Sequence, residues 1–146
     1  MAFFDFNGKQ VYYEVVGEGR PILLLNGIMM STMSWSIFVE AFSRNNKLIL
    51  VDFLDQGKSD KLEGLDYDQG LQSELIRELL EHLALDKVNI VGISYGGEVA
   101  QRFAIENTNS VERLLLFNTT SKTGPWLRDI GEGWNLSIDN PLNYYL

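Results

Sequence analysis

The residues with the clearest chemical content are Gly92-Ile93-Ser94-Tyr95-Gly96, followed by Gly97. A Gly-x-Ser-x-Gly run can set a serine on a sharp strand-to-helix turn with its hydroxyl above a sheet. Side chains two positions to either side would clash at such a turn, so Gly92 and Gly96 are required there. Val88-Asn89-Ile90-Val91 leads in as a buried strand, and Glu98 to Ile105 leads out as a helix. The helix N-terminus behind the serine offers N–H groups and a positive dipole end to a developing anion. The chemistry this supports is attack by Ser94 on a carbonyl carbon. The competing reading is a Gly-rich turn with an idle serine. A phosphate-binding loop is excluded by the absence of a Walker-type Lys after the glycines.

A serine nucleophile needs a base. The chain has one His, His82, twelve positions before Ser94. It falls near the end of a helical segment that feeds the N-terminal edge of the strand carrying Ser94 at its C-terminal edge. At about 3.3 Å per residue, that strand alone separates the two by roughly 15–20 Å. His82 therefore reads as a structural residue, favoured electrostatically by a helix C-terminus.

The elements that must hold these residues follow from apolar patterning. Asn7-Gly8, between FFDF and the alternating Val11, Tyr13 and Val15, predicts a hairpin. Continuous apolar runs then predict parallel strands at 21–25, 47–52, 88–93 and 112–118. Helices are predicted near 32–44, 67–84 and 95–107. Trp35, Phe38, Val39 and Phe42 share one face of the first, and Leu71, Leu75, Leu79 and Leu83 one face of the second. Alternation of this kind implies right-handed βαβ crossovers and an α/β sheet. From Ser121 onward scattered aromatics and three turn signals give no completed element, and the final Asn-Tyr-Tyr-Leu reads as a cut end.

Composition narrows the classes of function. The 146 residues carry 12 Lys and Arg against 20 Asp and Glu, for a net charge of −8. That balance argues against a nucleic-acid partner. The lack of Cys excludes a disulfide scaffold and a thiolate nucleophile, and suits a cytoplasmic protein. No signal peptide is visible at the start, and no apolar run approaches the roughly 18 residues of a membrane span.

With the serine turn, the strand order and the loops in view, residues 9–120 resemble the α/β-hydrolase family. The fold this implies is a three-layer α/β/α, mostly parallel sheet truncated after its sixth strand. Residues 1–120 would form the N-terminal half of the core and 121–146 the start of an incomplete lid segment. The family's His-Gly-x loop corresponds to Asn26-Gly27-Ile28. The resemblance implies that the backbone N–H groups of Ile28 and Tyr95 hold the oxyanion, each such donor being worth about 3 kcal/mol. Asn26, Met29 and Met30 then become candidates for the substrate pocket, with Met33 nearby. The family's Asp-x-Arg-Gly-x-Gly-x-Ser loop corresponds to Asp52 through Ser59, with Leu54 and Asp55 replacing Arg and Gly. Asp52 and Asp55 read as loop or cap residues, not catalytic ones.

The activity implied is serine hydrolysis of small carboxylic esters or lactones without cofactor or metal. A local likeness of Leu116 to Lys122, with Trp126, to enol-lactonase-like members points the same way. Haloperoxidases and carbon–carbon bond hydrolases share the frame. An Asp at position 94 would have indicated a dehalogenase or epoxide hydrolase. Family members with an early acid carry it after the sixth strand, where this chain has Asn118 and Thr119. The acid and the His are therefore expected beyond residue 146, leaving the 146 residues alone inactive. The alternative is a binding or interaction module that keeps the serine turn without a base. On either reading strand 112–118 needs a cover: a C-terminal half, a second copy in a homo-oligomer, or residues 121–146 folded back.

Overall fold

Asn7 and Gly8 both take left-handed backbone, at φ 52° and 77°. They turn β1 (Ala2–Phe6) back into β2 (Lys9–Val16), with Phe6 opposite Lys9. Two positive φ values in a two-residue turn match the right-handed twist of paired strands, which explains the Asn-Gly choice. This is a computed structural model, and it describes residues 2–63 and 68–137.

The hairpin edges a six-stranded sheet completed by β3 (Arg20–Leu25), β4 (Asn46–Val51), β5 (Val88–Ile93) and β6 (Val111–Phe117). The spatial order is β1-β2-β4-β3-β5-β6, and β4, β3, β5 and β6 run parallel. Each parallel strand falls within one residue of its expected position. In β3, β4 and β5 the continuous apolar runs work because both faces are covered, and alternate residues serve opposite faces. Leu23, Leu25, Ile49 and Ile90 join Leu75, Leu79, Val99 and Phe103 on one side. Leu24, Leu48 and Leu50 join Trp35 on the other.

Two helices cover the first face: α2 (Gln69–His82) and α3 (Tyr95–Glu106). The Asp68 carboxylate caps α2 by accepting the Leu71 N–H at 2.7 Å. The other face is covered more thinly, by a 3-10 turn (Thr32–Trp35) and the short α1 (Ser36–Ser43). The predicted apolar stripe there is only partly used. Trp35 is buried, but Phe38 and Phe42 stay 43% and 47% exposed and stack on each other at 5.8 Å.

The expectation that nothing regular follows Ser121 is corrected by α4 (Pro125–Ser137). Pro125 opens it, at the position where a missing N–H costs nothing. Gly131 and Gly133 lie inside it and lower its intrinsic propensity, so its turn signals masked a helix. The described part of 121–146 does not fold back over β6, where Leu115, Leu116 and Phe117 are 40–50% exposed. Residues 138–146, including the terminal Asn-Tyr-Tyr-Leu, lie outside the described residues. Among the described residues, no helix is long and apolar enough to cross a membrane.

Candidate active site

The site forms where the sheet's connections diverge. From β3 the chain crosses to β4 on one side, and from β5 it crosses to β6 on the other. Loops leaving the C-terminal ends of β3 and β5 therefore share a crevice, the usual ligand position of open α/β sheets. Leu25 pairs with Gly92, so the Asn26-Gly27-Ile28 loop and Ser94 emerge side by side.

Ser94 stands at φ 51°, ψ −122°, and is exposed. A non-glycine residue in that region costs on the order of 1–3 kcal/mol and is held by its surroundings. The Ser94 N–H donates to Phe117 O at 3.0 Å, and Ser94 O accepts the N–H groups of Gly97 and Glu98. The Thr119 hydroxyl donates to the same carbonyl at 2.7 Å. The flanking glycines have steric causes. A Cβ on Gly92 would lie 2.7 Å from Gly96 O, and one on Gly96 would collide with Leu25 O and Asn26 O. Gly97 is equally constrained, since Thr119 fills the space a Cβ would take. Opposite the elbow, a Cβ on Gly27 would lie 3.2 Å from Ser94 Cβ.

The 26–28 loop is held from behind. Asn26 is fully buried. Its amide donates to Val51 O at 2.8 Å and Gln56 Oε1 at 3.2 Å, while its carbonyl oxygen accepts Trp35 Nε1 at 2.7 Å. Asn26 therefore braces the loop and does not line the cleft beyond it. That cleft, of about 560 Å³, is bordered by Ile28, Met29, Met30, Ser31 and the 54–57 loop. Ile28 is 55% exposed and Met29 97%, with Met29 at φ 61°. Met30 instead tucks its sulfur against the Gly27 N–H at 3.3 Å. Tyr95 opens α3, and its ring meets Phe53 edge-on at 5.8 Å.

Of the two readings open for Asp52, loop or cap, the structure shows the cap. Asp52 is not solvated: it is 1% exposed and accepts the N–H groups of Thr32 at 2.6 Å and Lys58 at 2.9 Å. It caps the 3-10 turn across the fold, and Gly57, at φ 47°, is bare because a Cβ would collide with the Asp52 carboxylate. Asp55, where the family has Gly, takes φ 69° and secures its own loop by accepting the Leu62 N–H at 3.0 Å. Asp tolerates the left-handed region better than most side chains, so the replacement preserves the turn.

His82 lies elsewhere. Its Nε2 shares a hydrogen bond with the Tyr13 hydroxyl at 3.0 Å, and its ring stacks on Phe4 at 5.6 Å. Tyr13 is on β2, three strand spacings from β5, or on the order of 14 Å sideways. The separation is sideways across the sheet, since Tyr13 pairs with Val51 at the C-terminal end of β4 and so lies level with Leu25 and Gly92. The offset along the strand expected from sequence is not what sets His82 apart. In the first turn of α3, burial pushes the Glu98 carboxyl above the usual carboxylate range, although the Gln69 amide donates to it at 2.7 Å. Gln56, Thr119 and the bracing role of Asp52 were not evident from sequence. Gln56 reaches Gly27 across 29 positions, Thr119 reaches Ser94 across 25 and Asp52 reaches Thr32 across 20, and no local pattern marks these pairs.

A serine on a strained turn at the divergence of a parallel sheet, beside the Asn26-Gly27-Ile28 loop, defines the class of α/β hydrolases. The alpha/beta hydrolase fold profile matches residues 20–140, and the chain belongs to that family. It is 46% identical to MGS-M2, an alpha/beta hydrolase enzyme from a Medee basin deep-sea metagenome library. That match covers 99% of this chain and 54% of MGS-M2, with a TM-score of 0.93. It is 31% identical over 139 residues to a soluble epoxide hydrolase of Corynebacterium sp. (strain C12), covering 94% of this chain and 46% of the relative. It is 26% identical to a meta-cleavage product hydrolase (CumD) of Pseudomonas fluorescens IP01, covering 81% of this chain and 44% of that one, with a TM-score of 0.76. The chain spans about half the length of the relatives it matches.

Proposed function

We propose that the protein carrying this chain is a serine hydrolase of small carboxylic esters or lactones, with Ser94 as its nucleophile. The observation that carries the reading is the Ser94 backbone at φ 51°, held between Gly92 and Gly96 against Gly27. Ser94 Oγ attacks the acyl carbon, and its proton passes to a His supplied beyond residue 146. The Ile28 and Tyr95 N–H groups receive the negative charge that develops on the carbonyl oxygen. Collapse of the tetrahedral intermediate breaks the C–O bond to the alcohol, which takes the proton from that His (in a lactone it stays tethered as a hydroxyl). The acyl-serine is then opened by water activated by the same base, releasing the acid and Ser94. An acid, also beyond residue 146, orients that His. The continuation that brings these residues, or a second copy of the chain, pairs with the open edge of β6.

Likeness to an epoxide hydrolase leaves this chemistry favoured because of what Ser94 would form. Attack on the sp3 carbon of an epoxide or alkyl halide would leave a serine ether, which water does not cleave. Attack on an acyl carbon leaves an ester, which it does. Carbon–carbon bond hydrolysis uses the same acyl chemistry, and the meta-cleavage product hydrolase among the relatives keeps that reaction as the second reading.

The test is fluorophosphonate labelling and p-nitrophenyl ester hydrolysis by the polypeptide extended past Leu146. Both should occur, and Ser94→Ala should abolish both while the fold persists. The 146 residues alone should turn over poorly, since loss of the base costs about 10⁶-fold while binding and oxyanion contacts retain on the order of 10³ over water. An extended protein inert to esters, lactones and fluorophosphonates would overturn the reading in favour of a binding module.

A further inference from the structure

We infer that Gln56 is the positioning residue that aims the Ile28 N–H at the reacting carbonyl. The inference rests on the proposed oxyanion role of Ile28 and extends it to the group that fixes its direction. Gln56 Nε2 donates to Gly27 O at 3.0 Å. The Gly27–Ile28 peptide is trans, and a trans peptide is one rigid plane with its C=O and N–H on opposite sides. Holding the Gly27 oxygen toward Gln56 therefore turns the Ile28 N–H the other way. Gly27 itself approaches the elbow closely enough that an added Cβ would lie 3.2 Å from Ser94. Without a side chain, Gly27 has little intrinsic preference to keep this peptide from rotating. The other donor to its oxygen, the Met30 N–H, is longer at 3.3 Å.

Gln56 is in turn aimed by its neighbours. Its Oε1 accepts from Asn26 Nδ2 at 3.2 Å, which leaves Nε2 as the end facing Gly27. Asn26 cannot turn, because Val51 O and Trp35 Nε1 hold its two ends. The Gln56 backbone is pinned by its N–H to Phe53 O at 2.9 Å and by Ser59 N–H to its carbonyl at 3.0 Å. The side chain borders the cleft beside Ile28 and is only partly buried, so filling the core does not account for it.

The experiment uses the polypeptide that carries this chain together with its C-terminal continuation. Gln56→Glu keeps the shape but sets a carboxylate oxygen against the Gly27 oxygen, and Gln56→Met removes the donor without repulsion. For p-nitrophenyl acetate, kcat should fall about 10–100-fold in Gln56→Glu and less in Gln56→Met. KM should stay within about threefold and the melting temperature close to the parent's. Affinity for phenylboronic acid, whose adduct with Ser94 places an oxygen where the oxyanion would be, should fall by a factor similar to kcat. A parent with Ser94-dependent turnover, but variants whose kcat stays within about twofold or which change KM alone, would overturn the inference and leave the hydrolase reading standing. A parent without Ser94-dependent turnover would remove both. If Gln56→Glu fails to fold, Gln56→Met decides.

Discussion

The Thr119 hydroxyl donates to the Ser94 carbonyl at 2.7 Å while its side chain occupies the space beside Gly97. Together with the Ser94 N–H bond to Phe117 O, this ties the residues after β6 to the elbow. The strained backbone at Ser94 is thus held by a strand reached only after a full βα crossover.

Thr119→Val keeps the branched shape against Gly97 and deletes the donor. Stability should fall by about 1 kcal/mol, read as a lower melting temperature. In the extended polypeptide, fluorophosphonate labelling of Ser94 should slow several-fold. Thr119→Ser, which keeps the donor, should label at close to the parent rate. Equal labelling by Thr119→Val and the parent would show that the elbow holds its strain without this bond.

His82→Ala removes the stacking on Phe4 and the hydrogen bond to Tyr13. Because His82 is exposed, the cost should be small, about 1 kcal/mol in chemical denaturation. Ester turnover by the extended polypeptide should be unchanged. Loss of turnover with the fold intact would place His82 in the chemistry and defeat the argument from its position beside β2.

Two carboxylates of α3 make opposite contributions to pH dependence. Glu106 is held below the usual carboxylate range by the Ser73 hydroxyl and Arg102. Its contribution is present above the unfolded carboxylate pKa and is lost as pH falls through the folded one. Glu98 is raised, chiefly by burial. The folded state then holds its proton more tightly, so stability falls as pH rises from the unfolded pKa through the folded one. Thermal melts at about pH 7 should therefore show Glu98→Gln above the parent and Glu106→Gln below it, with both differences shrinking toward about pH 4. Differences as large at about pH 4 as at about pH 7 would refute the assignment.

Much of this molecule is local in origin. The Asn7-Gly8 hairpin, the four apolar parallel strands and the glycines around Ser94 each follow from the sterics or burial of neighbouring residues. They were legible for that reason, whereas the sideways distance of His82's partner Tyr13 from the Ser94 strand follows from the sheet order, which sets β2 three strands from β5. Helix α4 was not legible, since its glycines and proline signal turns as readily as a helix with Pro in its first turn. The bracing of the site was not legible either. Whether Asp52 is solvated or buried depends on where the Thr32 and Lys58 N–H groups lie, which its own neighbours do not say. Gln56 reaches Gly27 across 29 positions, and Thr119 reaches Ser94 across 25. Sequence by itself determined the class of fold and the serine that could act. Only tertiary structure decided which polar side chains hold the backbone around that serine, because hydrogen-bond partners are chosen by which strand ends the sheet brings together.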